Sequence, residues 1–261
     1  MNKGEITIKI MLLSIVAVLL IGLMIFMMNE EMGFDFMTKE KLDGEPIDTK
    51  KYSTEEVNYL DINSIAADIF IYQSEDNDIK VEIYGREKDK NEYQINLTEE
   101  GLKIKQGKRN HFCIGFCSLD QRIVLYLPDT YTKDMKIHSV SGDIESRKEL
   151  VSNLELQTVS GEVEIESAKT LTATTTSGDI EIGKVGDVSL EAVSGDISIR
   201  DLTLTKKATI HTVSGDVEIE RTNDIYITTK TISGDVKVEK NNRYADIQLN
   251  VTTTSGDIDI G

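Results

Sequence analysis

Between residues 135 and 260 the chain alternates apolar and polar residues in short runs, and these runs recur around one triplet. Ser-Gly-Asp or Ser-Gly-Glu occurs seven times, at intervals of 19, 17, 17, 20, 19 and 22 residues. Apolar residues stand six and four positions before each serine and three and five after it, with few exceptions. This alternation predicts a half-buried β-strand on each side of the triplet. The serines are Ser141, Ser160, Ser177, Ser194, Ser214, Ser233 and Ser255.

The triplet itself predicts a corner. The apolar positions have even offsets before the serine and odd offsets after it, so a turn or an extra residue must lie between the strands to keep both facing one interior. Glycine suits such a corner because it accepts positive φ without strain. The acidic residue after the glycine is expected to hydrogen-bond to the backbone of its own turn.

One strand–corner–strand unit cannot bury its own apolar face, whereas stacked units bury a continuous core. We therefore predict an all-β fold, a β-solenoid-like stack of the 17–22-residue Ser-Gly-Asp repeats with one coil per unit. Seven coils spaced by about 4.8 Å would form a body on the order of 34 Å long. An antiparallel β-sandwich built of hairpins is the alternative.

A degenerate unit lies upstream, with Ala66 in the place of the serine. Strand-like runs at 79–84, 93–97, 102–105 and 122–127 connect it to the regular repeats, so we assign residues 57–261 to one β-repeat domain. The last repeat ends one residue before Gly261 and is expected to present an open strand edge, unless residues 239–248 fold over it. The apolar positions of the degenerate unit are Leu60, Ile62, Ile69 and Ile71.

Residues 10–28 form a run of nineteen residues without a charge. A helix of that length, rising about 1.5 Å per residue, crosses most of a hydrocarbon layer roughly 30 Å thick. Lys3 and Lys9 precede the run and acidic residues follow it, so the positive-inside rule places residues 1–9 in the cytoplasm and the repeats outside. We predict a single-pass cell-membrane protein with an uncleaved transmembrane helix and a tether at 29–56. A cleavable signal peptide is the alternative.

The net negative charge of the chain argues against some classes of partner. The chain has 29 Lys and Arg against 46 Asp and Glu, a net charge of −17. Such a surface repels nucleic acid, so no nucleic-acid partner is expected. Tryptophan is absent and aromatic residues make up 6% of the chain, which argues against an aromatic platform that stacks sugars or bases.

The motif V-S-G-D-I-x-I and its variants, at 140–145, 159–165, 193–199, 213–219 and 232–238, resemble the Toastrack family of adhesin-like bacterial proteins. The passage LPDTYTKDMKIHSVSGDI that leads into them shares this resemblance. It implies a solenoid-like β domain outside the bacterial membrane. In LiaG-like members it also implies an N-terminal anchor and a place among cell-envelope stress-response systems. No catalytic residue is established for the family, so none is carried over and no cofactor is expected.

The acidic residues of the triplets are the first candidate site. Stacked coils would place them roughly 5 Å apart, and such a row of carboxylates is able to hold Ca²⁺ together with carbonyl oxygens. The known calcium-binding solenoid repeat is a nonapeptide about half as long as these units, so we favour solvated turn caps and no metal. A calcium-binding structural stalk remains an alternative. The row consists of Asp143, Glu162, Asp179, Asp196, Asp216, Asp235 and Asp257.

Two repeats combine serine, histidine and aspartate, with His138 before Ser141 and His211 before Ser214. Residues this close on one strand alternate faces, so a stacked serine ladder is favoured over a hydrolytic triad. A polysaccharide-acting β-helix enzyme that uses the acidic row is the alternative function. It requires basic residues beside the acids, and the three that follow later strands form no cluster in the sequence: Arg200, Arg221 and Lys240.

His111, Cys113 and Cys117 form the last candidate cluster. A disulfide between the two cysteines fits an extracytoplasmic location if the chain turns between them. Free buried thiols and a zinc site are the alternatives, although no second cluster completes four zinc ligands. Taken together, the sequence predicts a non-catalytic, membrane-anchored interaction module in envelope stress sensing or surface adhesion. Its partner, an envelope protein or a surface, is not specified by the sequence.

Overall fold

The computed structural model describes residues 44–107 and 121–261. These residues form β-strands and one short 3-10 helix, Glu87–Glu92, so the all-β prediction is confirmed. No helix within the two described ranges is long and apolar enough to cross a membrane, and the predicted transmembrane helix at 10–28 lies outside them. The strands are β1 (Asp48–Ser53), β2 (Leu60–Ser64), β3 (Asp68–Gln73), β4 (Asp78–Tyr84), β5 (Tyr93–Leu97), β6 (Leu102–Gln106), β7 (Arg122–Leu127), β8 (Met135–Ser139), β9 (Ile144–Ser160), β10 (Val163–Ser177), β11 (Ile180–Ser194), β12 (Ile197–Leu202), β13 (Ala208–Ser214), β14 (Val217–Thr222), β15 (Tyr226–Lys230), β16 (Val236–Val238), β17 (Gln248–Thr252) and β18 (Ile258–Ile260).

The Ser-Gly-Asp units stack on one another through parallel strands. Leading into the corner, Met135 of β8 pairs with Leu154 of β9, and Leu154 pairs with Leu171 of β10. Leaving the corner, Ile144 pairs with Val163 and Val163 with Ile180. Each apolar position therefore lies on its counterpart in the next unit. Hairpins would require antiparallel pairing between these strands, and the structure does not have it.

The described strands belong to one continuous hydrogen-bonded sheet of eighteen strands, whose two halves lie on either side of the core. We call these halves the first sheet and the second sheet. The first sheet holds the strands that lead into a corner, and the second sheet holds the strands that leave one. Strands β9, β10 and β11 are long because each leaves one corner in the second sheet and enters the next corner in the first sheet. Register irregularities between Ile165 and Ser167, and between Ala168 and Thr170, mark the bend between the two halves of β10.

The core lies between the two sheets and runs through every coil. In the internal coils, aliphatic side chains at the four repeated positions are buried, among them Leu171, Ile180, Leu190 and Ile197. Burying one such side chain contributes roughly 1.5–3 kcal/mol, so the four columns supply most of the stabilisation. The stack needs no aromatic residue in these columns.

Coil order at the beginning of the stack departs from chain order. Strands β6 and β7 pair in parallel with β2 and β3, so Leu102 lies on Leu60 and Ile123 on Ile69. Residues 102–127 are therefore a further coil, and it lies outside the 60–71 coil. Strands β6 and β7 are much farther apart in the sequence than the two strands of the other units, which is why the sequence shows two unrelated strand-like runs there.

Coil order is also exchanged at the other end. Leu249 of β17 pairs with Ala208 of β13 on one side and with Ile227 of β15 on the other. The 249–260 coil thus lies between the 208–219 and 227–238 coils, and the prediction that the last repeat ends the stack is wrong. The long 239–248 connection gives the chain enough length to return to the level between them.

Antiparallel strands close the beginning of the stack. Strand β4 pairs with β7 and with β1, and β5 pairs with β6. Residues 29–56 were assigned to a tether, and this assignment is wrong for their last part, because β1 is a strand of the β domain. The sequence of β1 gave little signal, since Tyr52 is its only side chain packed against the core.

Candidate interaction surfaces

The glycine of each corner is required mainly by close approach of the neighbouring coil. A Cβ on Gly195 would lie 2.2 Å from the carbonyl oxygen of Gly178, and the φ of Gly195 is +150°. Gly161 has no positive φ, yet a Cβ there would still lie 2.4 Å from the carbonyl oxygen of Gly142. Only some corner glycines have the positive φ that the sequence predicted. In every corner of the regular repeats, however, a Cβ would clash with the neighbouring coil.

The acidic row links neighbouring coils. The Oδ1 atom of Asp196 accepts the backbone N–H of Asp216 at 2.7 Å, and Asp196 itself donates to Asp179 Oδ1 at 2.8 Å. The expectation that each acid bonds to its own turn is therefore wrong, because the nearest free N–H belongs to the next coil. We call this set of bonds the carboxylate ladder. Its other bonds join Asp68 to Asp143, Asp143 to Glu162, Asp216 to Asp257 and Asp257 to Asp235.

The carboxylate ladder has one gap and one free end. Glu162, whose side chain is one methylene longer, accepts no bond from Asp179, although Asp179 is the residue that follows it in the stack. Asp235 lies in the outermost coil, so its carboxylate has no further coil to bind. Among residues 44–107 and 121–261, no group of three or more His, Cys, Asp or Glu side chains is placed to hold a metal ion. Calcium binding by the row, the alternative to the favoured prediction of no metal, stays untested.

A buried hydroxyl column lies beneath the corners, two positions before the triplet serines. Ser139 Oγ donates to Gly142 O at 2.9 Å and accepts the N–H of Gly142 at 3.0 Å, which closes the corner from inside. This column was not predicted from the sequence, although Ser or Thr stands there in all but one repeat. Within the described ranges, the hydroxyls of Thr158 and Thr175 are buried without a hydrogen-bond partner. The column consists of Ser64, Ser139, Thr158, Thr175, Ala192, Thr212, Thr231 and Thr253.

The serine and histidine candidates contact neighbouring coils. Ser141 Oγ donates to the carbonyl oxygen of Ile65 at 3.0 Å. His211 Nδ1 lies 2.7 Å from Thr252 Oγ1, on the adjacent coil. Neither contact is the serine–histidine bond that a hydrolytic triad needs. The cluster of His111, Cys113 and Cys117 lies outside the described residues.

The outer surfaces of the two sheets differ in charge. Across the coils between residues 154 and 254, the first sheet presents Thr, Ser, Val, Ile, Asn, Gln and His, with Glu155, Glu191 and Lys230 as its charged residues. We call this surface the neutral face. The outward positions of the second sheet form the acidic face, which includes Asp143, Glu145, Glu162, Glu164, Asp179, Glu181, Asp196, Asp216, Glu218, Asp257 and Asp259. Much of the net negative charge is thus held on one side of the stack.

Crowding on the acidic face raises the pKa of the Glu164 carboxyl. Partial burial raises the pKa of the Glu164 carboxyl, and the neighbouring charges of Glu145 and Glu181 raise it further. Arg147 lies close enough to oppose this shift and is bonded to Glu145. Like charges on adjacent strands therefore destabilise the ionised form of Glu164.

The neutral face ends in an exposed apolar column beside the corners. Its members stand one position before the triplet serines, and Val193 is 49% exposed. Stacking in register joins them into a stripe along the corner, which is unusual for a soluble surface and typical of a contact region. The column contains Ile65, Val140, Val159, Val193, Val213 and Ile232, with Thr176 and Thr254 in the two remaining places.

An aromatic cluster lies on the outer surface of β3 and β7. The rings of Phe70 and Tyr72 stack with centroids 6.1 Å apart, and Tyr126 is 5.9 Å from Tyr72. Lys80 Nζ lies 3.8 Å from the centre of the Tyr126 ring. Burial and the nearby Glu82 carboxylate raise the pKa of Tyr126 to about 12. Composition argued against an aromatic platform, but the register of β3 with β7 gathers three of the chain's few rings in one place.

Two basic residues beside the acids, Arg221 from the sequence analysis and Lys237, bind acidic side chains. Arg221 binds Asp201 of a neighbouring coil through two hydrogen bonds of 2.5 and 2.8 Å. Lys237 contacts Glu239 at 3.1 Å and Asp259 at 3.2 Å. The cations at these two places are therefore engaged in bonds along the stack, and they offer no anion-binding pocket for a polysaccharide.

These features define a class of protein: a stacked-coil β-repeat body whose polar corner residues hold coils together. The chain belongs to the Toastrack family, because the family model Toastrack DUF4097 matches residues 57–261. The recognition made from the V-S-G-D motifs is thereby confirmed. No curated protein matches the sequence.

Several solved structures are similar to this chain. A candidate adhesin of Bacteroides fragilis is 17% identical, with a TM-score of 0.47, over 82% of this chain and 96% of that one. A candidate cell adhesion protein of Clostridium sporogenes is 13% identical, with a TM-score of 0.41, over 82% and 97% of the two chains. A Parabacteroides distasonis structure described as a candidate lipid-binding protein is 16% identical, with a TM-score of 0.47, over 84% and 98%.

Proposed function

We propose that this protein is a non-catalytic, membrane-anchored extracytoplasmic interaction module that acts in cell-envelope stress sensing or surface adhesion. The observation that carries the proposal is the separation of its surface into an acidic face and a neutral face that ends in an apolar column. An exposed apolar stripe of this kind costs solubility unless it meets another molecule. The acidic face, in contrast, repels other anionic surfaces, so contacts are assigned to the neutral face.

The use of the polar residues supports a non-catalytic role. The carboxylate of Asp196 and the hydroxyls of Ser139 and Ser141 bind backbone groups at the corners. A catalytic side chain has to be available to a substrate, whereas these groups hold coils and corners together. Membership of the Toastrack family and the adhesin descriptions of similar structures agree with a surface role. The uncharged run at 10–28 supports the membrane anchor.

The proposal is tested in cells that lack the gene and carry it back as a variant. External protease should digest the β domain on intact cells, and either adherence or an envelope-stress reporter should depend on the protein. Val193→Lys, on the neutral face, should reduce that response. Ser198→Lys adds the same charge to the acidic face of the same coil and should leave the response unchanged. Protection of the domain in intact cells, or equal effects of the two variants, would refute the proposal.

A further inference from the structure

The 227–238 coil ends the stack, and it has a neighbour on one side only. Strand β15 pairs with β17 and β16 pairs with β18, and no strand among the described residues pairs with their outer edges. The opposite end is closed by β1, β4 and β5. Gln106 also closes that end, because its Oε1 atom accepts the N–H groups of Ile65, Ala66 and Ala67 at 2.8–3.1 Å. The two ends of the stack are therefore different.

Backbone groups of β16 point away from the stack. The carbonyl oxygen of Asp235 accepts the N–H of Ile258 at 2.9 Å, and Glu239 donates to Ile260 O at 2.8 Å. Successive residues of a strand bond to opposite sides, so the N–H and C=O groups of Val236 and Val238 face outward. Such a row of unpaired groups is a template for strand addition.

The side chains at this edge are of the same kinds that bind one coil to the next inside the stack. Asp235 donates its N–H to Asp257 Oδ1 at 2.7 Å, but its own carboxylate accepts no bond from any described residue. Val236, in an inward column, is 45% exposed, and Ile232 is 75% exposed, whereas Ile258 in the preceding coil is buried. The edge thus offers a hydrogen-bond acceptor and two apolar contacts in the geometry of a coil-to-coil interface.

The 239–248 segment covers only part of this end. Asn241 Oδ1 accepts the N–H of Ile227 at 3.0 Å, and Asn241 Nδ2 donates to the carbonyl oxygen of Ile227 at 2.8 Å. Asn242 donates its backbone N–H to Ile225 O at 3.1 Å. These bonds cap the beginning of β15 in the way a further strand would. The corner at 232–235 and the whole of β16 remain uncovered by described residues.

Charge indicates what kind of strand fits. Lys230, Lys240 and Arg243 are exposed around this end, and none has an ion pair within the described part of the chain. They stand out in a protein with a net charge of −17. A second copy joined through the same end would bring these cations together, which disfavours self-association. An acidic strand would pair with them instead.

We propose that β16 and the corner at 232–235 bind an extended acidic segment of another protein, added as a strand parallel to β16. The carboxylate of Asp235 accepts a backbone N–H of that segment, as each ladder residue does for the next coil. The basic side chains contact its carboxylates. This inference rests on the proposed function, since it names the class of partner that an extracytoplasmic interaction module takes at this end.

A synthetic peptide with the sequence of residues 158–166, TVSGEVEIE, serves as the probe because it occupies this relation to a neighbouring coil inside the stack. Fluorescence anisotropy measures its binding to the full chain in detergent micelles. Binding should saturate and should weaken with added salt. A control peptide with proline in place of the glutamate that follows glycine lacks the N–H for Asp235. A second control peptide carries lysine for all three glutamates. Both should bind at least roughly tenfold more weakly.

Variants of the chain locate the bound peptide. Val236→Pro removes an outward N–H and should weaken binding by roughly tenfold or more, whereas Val236→Thr keeps the N–H and should bind within about twofold of the original. Asp235→Ala should weaken binding severalfold, and its carboxylate holds no other described group, so the fold should melt unchanged. Lys230→Glu together with Lys240→Glu should abolish most of the salt dependence.

Several outcomes would overturn the inference. These are no saturable binding at about 1 mM peptide, or equal binding by the two Val236 variants. Concentration-dependent self-association that Val236→Pro abolishes would assign the edge to a second copy. Binding that appears only after residues 1–43 are removed would assign it to the chain's own N-terminal segment. None of these results changes protease accessibility on intact cells or the response to Val193→Lys, so failure here is distinguishable from failure of the proposed function.

Discussion

The carboxylate ladder allows a prediction that separates hydrogen bonding from charge at one position. Asp196 lies in the middle of the stack, donates to Asp179 and accepts from Asp216. Asp196→Ala removes the acceptor and leaves the N–H of Asp216 to water. Asp196→Asn keeps an oxygen in the same place and removes the charge. Both variants therefore lack the carboxylate, but only the asparagine variant keeps an acceptor for the N–H of Asp216.

The magnitudes follow from the spacing of the coils. A hydrogen bond contributes about 0.5–1.5 kcal/mol, and the exposure of this one favours the lower half of that range. Neighbouring carboxylates about 4.8 Å apart repel each other by about 0.9 kcal/mol in water before screening. In the asparagine variant, relief from two such neighbours offsets the loss of a charge-assisted bond, so its stability should stay within about 0.5 kcal/mol of the original.

Urea unfolding of the full chain, followed by circular dichroism, measures the difference. Asp196→Ala should be less stable than Asp196→Asn by about 0.5–1 kcal/mol, equivalent to roughly 1–4 °C in melting temperature for a domain of this size. Added salt should lower the stability of the asparagine variant relative to the original chain, because screening removes the repulsion that the variant relieves. Equal loss in the two variants would show that the acceptor oxygen does not hold the coils together. No loss in the alanine variant would show the same.

Four further substitutions test the acidic face and the hydroxyl column. Glu162→Asp should supply the missing bond to Asp179 and raise the free energy of unfolding by about 0.5 kcal/mol; a decrease would mean the gap has another cause. Burial and neighbouring glutamates raise the pKa of Glu164, so the folded state binds its proton more tightly and loses stability as pH rises from the unfolded value of about 4.3. Glu164→Gln should therefore stabilise the chain at neutral pH and lose that advantage below about pH 4 in pH-dependent melts, whereas a pH-independent gain would contradict this sign. Thr175→Val should stabilise by about 1 kcal/mol because its hydroxyl is buried without a partner, while Thr253→Val, which loses a bond to Gly215 O, should destabilise; thermal melts that reverse this order would refute the assignment.

The repeat predicted which residues line the candidate surface, but it did not predict their hydrogen-bond partners. The acidic residues were identified as a row, but their bonds were assigned to their own turns. The bond of Asp196 to Asp216 depends on the distance between coils, which a single repeat does not contain. The hydroxyl column had a visible signal, since Ser or Thr recurs at its position. The exposed apolar column had one as well, because valine precedes the triplet serine in several repeats.

The sequence alone determined the strands and corners of the repeats and which of their side chains face the interior. These properties are local, because period-two alternation and the glycine of the corner act within one unit. The placement of Leu60, Ile62, Ile69 and Ile71 in the four apolar columns was predicted by the same reasoning and agrees with their pairing to the 135–146 coil.

Tertiary structure decided which coil lies next to which. Every unit presents nearly the same edges, so local sequence does not distinguish the stacking of 249–260 on 208–219 from the stacking of 227–238 there. The choice depends on connection lengths and on side chains such as Asn241, which caps Ile227 and makes the 227–238 coil suited to the end. It also decided that Lys230, Lys240 and Arg243 lie at an open edge, because the 227–238 coil becomes the end of the stack only when the 249–260 coil lies between it and the 208–219 coil.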